Sequence, residues 1–275
     1  MRVEAEAAKA IGGLFAENVA AAVATLAHEA PCPYRSELRA IAGARCSRRR
    51  EFLAGRACAH AALRVIGRDG QPVSRAATRE PLWPDGVVGS ISHAGTYAAA
   101  IVARGAEAWS VGLDIELLDP PLDAALERMV LTPSELAGSR RLAKIAFAVK
   151  ECVYKCLFPR TGWRLGFHDV AVEIDPARGC YRAAVDERFR LGRGSLPALE
   201  GRLAIWNGYV LVGLSWREPI RAAEQVRRLA DISDPEHAHQ HPGEAEAKAA
   251  VGRASELEEV QVRADRVDRQ AARGG

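Results

Sequence analysis

The stretch VGLDIELLD, Val111–Asp119, decides the fold of this chain. Val111, Leu113, Ile115, Leu117 and Leu118 are apolar, as in a buried β-strand, yet Asp114 and Glu116 sit two residues apart inside it. Side chains alternate faces along a strand, so positions 114 and 116 point the same way. Two carboxylates on one face of a hydrophobic strand repel each other and are costly to desolvate. They call for a partner, and for a fold that brings it to them.

Working outward, VVGSISHAGTYAAAIVAR (87–104) reads as a strand, a turn at Ala94-Gly95 and a second strand, which makes the opening stretch the third of a set. Residues 36–66 before it are helical. SELRAIAGA opens on Ser36 as N-cap, and RRREFLAGRACAHAALRVIG carries Phe52, Ala59, Leu63 and Ile66 at helical spacing up to Gly67. The Gly- and Pro-rich 67–86 is a loop.

The plan then repeats. LTPSEL places Thr132 as N-cap, Pro133 at N1 and Glu135 at N3 of a helix. RRLAKIAFAVKECVYKCLF is an amphipathic helix expected to end before Pro159. DVAVEI, CYRAAV and GRLAIWNGYVLVGLSW supply strands, the last a hairpin turning at Asn207-Gly208. This order predicts an α/β (α+β) fold of two pseudo-symmetric halves, 1–118 and 119–217, each a helix packed on an antiparallel sheet. Residues 218–275 contain no Phe, Trp, Tyr or Cys and are expected to form a low-complexity tail with a loose helix or none. The triplet His237, His239 and His241 within it reads as a solvated polar run.

Bulk properties narrow the function classes. A chain of 275 residues can bury a sizeable core. Its six cysteines form no CxxC pair and no zinc spacing, and Cys152 and Cys156, one helical turn apart, read as small core side chains. The N-terminus makes a poor signal peptide, and no stretch approaches ~18 uninterrupted apolar residues, so a cytoplasmic protein without a membrane span is expected. From 218 onward, 9 Lys/Arg face 12 Asp/Glu within a chain of net charge +3, so the body is mildly basic. That suits phosphate ligands or an acidic partner and is too weak to argue for nucleic acid.

A third acid completes the pair. In AVKECVYK, Glu151 and Lys155 share a helix face. Alone, this spacing describes a solvated ion pair worth ~0.2–0.5 kcal/mol. Here Ala146, Phe147, Val149, Val153 and Leu157 surround it and turn that face toward the core. Three carboxylates meeting at a point require a cation, and oxygen-only ligands favour Mg²⁺ or Mn²⁺. On the same argument, removing any one of the three relieves repulsion. A hard ion leaves positions for water and substrate phosphates, which gives the basic residues a role. Arg48 and Arg56 lie about 80° apart around their helix. His93 ends a strand beside Gly95, Ser90 and Ser92 offer hydroxyls, and Arg75 and Arg79 add charge from the loop. The chain has no P-loop and no GxGxxG after a strand.

GSISHAG, VGLDIE and AVKECVYK, in this order and at these separations, resemble the 4′-phosphopantetheinyl transferases of the surfactin/enterobactin type. EPLWPDGVVGSISH, RRREFLAGRACAHAAL and RLGFHDVAV extend the resemblance over roughly 36–216. Ala148 departs from the Ser or Trp frequent there, residues 1–30 match loosely and 218–275 match nothing in the family. The resemblance implies two pseudo-symmetric halves with the active site in the cleft between them. It implies transfer of 4′-phosphopantetheine from coenzyme A to a serine of an apo acyl or peptidyl carrier protein, releasing 3′,5′-ADP. It also implies that Asp114, Glu116 and Glu151 hold Mg²⁺, that Glu151 takes the serine proton, and that Lys155 neutralises pyrophosphate charge. Arg48, Arg56, Arg75 and His93 correspond to positions that hold the nucleotide phosphates, and Ser90 and Ser92 are bystanders or weak phosphate donors. A monomer without nucleic-acid or membrane partners is expected. Another Mg²⁺-dependent phosphotransferase, or a non-catalytic binding module of the same fold, remains an alternative. The pathway of the carrier (fatty acid, polyketide, nonribosomal peptide or siderophore) is left open.

Overall fold

A computed structural model of the chain describes residues 2–16, 18–27, 30–136, 142–191 and 194–217. The tail expected from 218 onward, with its histidine triplet, lies outside them. The elements are α1 (Arg2–Gly12), β1 (Ala20–Thr25), α2 (Arg35–Ala40), α3 (Cys46–Val65), β2 (Ser74–Arg75), β3 (Pro81–Leu82), β4 (Val87–Ala94), β5 (Tyr97–Arg104) and β6 (Ser110–Leu117). There follow α4 (Ala124–Val130), α5 (Pro133–Leu136), α6 (Ala143–Thr161), β7 (Val170–Asp175), β8 (Cys180–Val185), β9 (Arg190–Leu191), β10 (Gly194–Ser195), β11 (Leu199–Trp206) and β12 (Tyr209–Trp216).

Helix and antiparallel sheet are combined twice. A three-stranded sheet, ordered β1-β5-β4, packs on α3 through Ala54, Ala59, Ala62, Leu63, Ala98, Ala100 and Val102. Alanine dominates both faces, so helix and sheet approach closely. A five-stranded sheet, ordered β6-β12-β11-β8-β7, packs on α6 through Val149, Cys152, Val153, Cys156, Leu157, Val210, Val212 and Leu214. Cys152 and Cys156 are fully buried core side chains, as their spacing suggested, and burial pushes the Cys156 thiol up to about 12. A third cluster joins the sheets: Leu113 and Ile115 of β6 meet Ile101 of β5, Leu211 of β12 and Ile11 and Leu14 of the N-terminal segment. Burying such a side chain fully is worth about 1.5–3 kcal/mol, so this cluster is a major link between the sheets.

The turns follow their residues. Asn207 (φ 48°) and Gly208 (φ 79°) form the two-residue hairpin between β11 and β12. Tyr209 beyond it reaches the β4–β5 turn, where its hydroxyl accepts from the Thr96 N–H at 3.3 Å. The capping box at Thr132 is present: the Glu135 Oε2 accepts from the Thr132 N–H at 2.8 Å, and the Thr132 hydroxyl from the Glu135 N–H at 3.4 Å.

Expectation and structure part at four places. β6 pairs over its whole length with β12, from Ser110↔Trp216 to Leu117↔Tyr209, so hydrogen bonding assigns it to the second sheet, where a boundary at 118 leaves it in the first half. α6 runs through Pro159 to Thr161. Its stop is Gly162 (φ 66°), a left-handed C-terminal cap whose N–H donates to the Phe158 carbonyl at 2.9 Å. α2 begins at Arg35, which places Ser36 inside its first turn. Residues 1–30, loosely matched in the sequence, hold α1 and β1, and β1 pairs with β5 from Ala20↔Val102 to Thr25↔Tyr97.

Candidate active site

Strand alternation sorts β6 as its sequence demands. Val111, Leu113 and Ile115 enter the central apolar cluster. Gly112, Asp114 and Glu116 take the other face, toward α6. Gly112 is there because nothing larger fits: a Cβ on it would collide with the Cys152 carbonyl oxygen and lie 2.9 Å from Cys156 Cβ. Asp114 is 1% exposed and Glu116 8% exposed.

The first cation at these acids comes from α6. Lys155 Nζ lies 2.6 Å from Asp114 Oδ1. Its short ion pair is therefore with Asp114 across the helix–strand contact, where the sequence spacing had paired it with Glu151. Ser92 of β4 closes the group: its hydroxyl donates to Asp114 Oδ1 at 2.8 Å and accepts from Lys155 Nζ at 3.1 Å and from the Ile115 N–H at 3.3 Å. Two residues away, Ser90 accepts from the Leu113 N–H at 3.1 Å. The two serines, expected as bystanders or weak phosphate donors, stitch β4 to β6, and Ser92 bonds both charges of the pair. Their spacing of two opposite LDI was the available signal.

Asp114 Oδ2 is buried and has no hydrogen-bond partner. Burial pushes the Glu116 carboxyl well above its ordinary range, and the neighbouring Asp114 pushes it further, while Lys144 and Lys155 pull it back. Lys144 stands seven residues before Glu151, on nearly the same helix face, and was missed in the sequence. Burial also raises Asp114, against the opposing effect of Lys155 and the Ser92 bond. Glu151 is raised to about 7, again by burial first and against Lys155. Among the described residues, no three acidic, His or Cys side chains stand close enough to ligate a metal as placed. The expected three-acid cluster is present as neighbours in one field and is not closed. The donor set nevertheless suits a hard divalent cation: carboxylates only, one with a buried oxygen that lacks a donor.

Glu151 carries a pH signature. A carboxyl whose folded value exceeds its unfolded one adds stability that is complete below the unfolded value of 4.5 and is lost as pH rises through about 7. Metal-free protein should therefore lose Tm more steeply from about pH 5 to about pH 8 than its Glu151→Gln variant. Parallel melting curves in chelator would contradict the raised value.

The basic residues form a second group. Arg48 Nη1 donates to His93 Nε2 at 3.0 Å, and Glu51, unremarked in the sequence, stands 3.5 Å from Arg48 and 3.9 Å from His93. Burial, with Arg48 and Lys155 nearby, holds the His93 pKa well below its usual value, so its Nε2 is an acceptor and the ring is neutral. Arg56 is 5% exposed, lies over the Phe52 ring at 4.4 Å and donates from Nη2 to the Ser74 carbonyl at 3.3 Å. Its Nε is buried without a partner. Burial lowers its pKa to about 10, Glu37 opposes this, and Arg75 and Arg48 lower it further. Arg48, Arg56 and Arg75 are thus brought into one electrostatic neighbourhood, with a committed donor on Arg48 and an open one on Arg56.

Comparison with known proteins bears on the family of the chain. Residues 36–103 match the family model of the 4′-phosphopantetheinyl transferase N-terminal domain, and residues 110–199 that of the 4′-phosphopantetheinyl transferase superfamily. The chain is 36% identical over 195 residues to 4′-phosphopantetheinyl transferase Svp of Streptomyces mobaraensis, covering 67% of this chain and 79% of that protein. It is 33% identical over 195 residues to 4′-phosphopantetheinyl transferase PptT of Mycobacterium tuberculosis, covering 66% and 85%. It is 39% identical over 122 residues to enterobactin synthase component D of Salmonella typhimurium, covering 41% and 50%.

Proposed function

Because this chain belongs to the 4′-phosphopantetheinyl transferase superfamily, and is therefore a transferase, we propose that it moves the 4′-phosphopantetheine arm of coenzyme A onto a serine hydroxyl of an apo carrier protein. The serine oxygen forms a bond to the phosphorus that bears the pantetheine arm, the bridging P–O bond breaks, and 3′,5′-ADP leaves with the electron pair. The observation that carries the reading is the orphaned, buried Asp114 Oδ2 beside Glu116 and near Glu151.

Asp114 through Oδ2, Glu116 and Glu151 would hold Mg²⁺ or Mn²⁺, which when bound neutralises pyrophosphate charge and fixes its orientation. Lys155, held by Asp114 and Ser92, presents its ammonium to the charge that develops on the leaving phosphate. Glu151, with a pKa of about 7 in the free protein, accepts the serine proton near neutral pH. Arg56, whose buried Nε lacks a partner, would give its guanidinium charge to the 3′-phosphate, with Arg48 and Arg75 near it and the neutral His93 bonded to Arg48. The carrier protein, by chemistry, presents an exposed serine. The relative named enterobactin synthase component D makes siderophore carriers one group to include.

Intact-mass spectrometry of several purified apo carrier proteins with coenzyme A, Mg²⁺ and this protein tests the reaction. A gain of one phosphopantetheine unit is expected, and no gain on any carrier, with coenzyme A bound, would leave a non-catalytic binding module. The phosphate assignment has its own readout. Arg56→Ala should weaken coenzyme A binding by roughly 10- to 100-fold, as expected for a charge-assisted contact of about 1.5–3 kcal/mol, and 3′-dephospho-coenzyme A binding much less. Equal losses in calorimetry would move Arg56 away from the 3′-phosphate.

A further inference from the structure

Glu37 belongs to none of the sequence motifs, yet it is a carboxylate with 0% exposure. Donors from three pieces of chain close on it. From α3, His60 Nε2 lies 2.8 Å from Oε1 and 3.1 Å from Oε2. The Val73 N–H, just before β2, donates to Oε1 at 2.7 Å, and the Cys32 thiol donates to Oε2 at 3.2 Å. The His60 ring is itself held against Tyr34, with centroids 4.7 Å apart. Burial pushes the Glu37 carboxyl up, but these bonds outweigh it and its pKa is lowered overall, so it stays ionised.

A buried ion is weak grounds for stability, since apolar replacements of similar volume are often neutral or better. What distinguishes this one is where its bonds lead. Val73 precedes Ser74, whose carbonyl receives Arg56 Nη2 at 3.3 Å, and Arg75 follows directly. Glu37 is also the leading charge that supports the Arg56 cation against burial and against Arg75 and Arg48. Arg56 is thereby clamped on three sides, with Phe52 below, the Ser74 carbonyl at one nitrogen and the Glu37 field behind, and its buried Nε is left without a partner.

We propose that Glu37 is a positioning residue for a phosphate-recognition site: it pins the Val73–Arg75 backbone and, through the Ser74 carbonyl, aims the Arg56 guanidinium. The identity of that phosphate as the 3′-phosphate of coenzyme A rests on the reading given under Proposed function. The aim of Arg56 does not.

Two measurements on the full chain separate these statements. The first is the ¹⁵N relaxation order parameter of the Arg56 Nε–H in the free protein. Glu37→Ala is expected to drop it from the rigid range to below about 0.6. Glu37→Gln keeps an acceptor for the Val73 N–H and should restore most of it. The second is steady-state kinetics with coenzyme A and 3′-dephospho-coenzyme A. Glu37→Ala should raise KM for coenzyme A by about tenfold, shift kcat far less, and leave the dephospho donor within about twofold. If Glu37→Ala does not fold, Glu37→Asp, which withdraws the carboxylate by one methylene, carries both readouts at about a third of the size. An unchanged Arg56 order parameter in a folded variant would overturn the proposal. So would an equal KM rise for both donors alongside a rigid Arg56. A mobile Arg56 in a protein whose wild type ignores the 3′-phosphate would leave the positioning role standing and overturn the 3′-phosphate assignment alone.

Discussion

Glu116→Gln is expected to lower transfer by at least about 10²- to 10³-fold while raising the Tm of the metal-free protein. The two effects share one cause. Glu116 is buried beside Asp114, and both burial and that neighbour penalise its charge. A neutral amide of the same shape removes the repulsion and, with it, a carboxylate that the proposed cation needs. Asp114→Asn should lose activity to a similar degree and move stability the other way, by up to about 3 kcal/mol. It deprives Lys155 of its ion pair and leaves a partly buried ammonium short of a partner. The sequence argument treated the three acids alike, as mutual repellers. The 2.6 Å contact to Lys155 sets Asp114 apart. Initial rates by carrier mass shift, with calorimetric melting in chelator, decide the matter. Glu116→Gln at near wild-type rate, or the two variants shifting Tm in the same direction, would remove the basis for this site.

Gly112→Ala should be nearly as damaging without touching a charge. The added methyl group meets the Cys152 carbonyl oxygen, backbone that a rotamer change cannot move. β6 and α6 must then separate, and overpacking of this kind costs about 3 kcal/mol, roughly 6–12 °C in Tm for a domain of this size. Activity should fall about 10²-fold beyond what residual folding explains, because Asp114 and Glu116 are carried on the strand and Glu151 and Lys155 on the helix. A displacement of about 1 Å between them is enough for that loss. Rates normalised to folded fraction by circular dichroism test the point. A stable Gly112→Ala protein of normal activity would mean that the helix–strand approach has slack.

Much of this was legible because local patterns coincide with tertiary roles. The period of two in VGLDIE put Asp114 and Glu116 together, and the Asn207-Gly208 pair and the Thr132 capping box appear where their chemistry requires. What escaped had no local signature. Pro159 is a stop signal on paper, but it sits in a last turn already closed by Gly162. Glu37 looks like any exposed helical glutamate until Val73 and His60 arrive from 36 and 23 residues away. β1 is almost all alanine, too short in side chain to give a strong alternating pattern, yet it completes the first sheet. The exchange of partner by Lys155, from the helical neighbour Glu151 to Asp114 across the contact, is a choice that only packing makes.

The serine seam between β4 and β6 bears on how an exposed strand edge is kept from pairing with a foreign strand. β6 pairs with β12 along one edge, which leaves the N–H and C=O groups of its other edge as a template for a foreign strand. Ser90 and Ser92 occupy that edge with hydroxyls, taking the Leu113 and Ile115 N–H groups. Hydroxyls satisfy these donors one residue at a time and offer no continuous ladder for a stranger to extend. The same two side chains that link the sheets therefore act as an edge guard against aggregation, at a strand with buried apolar residues on one face.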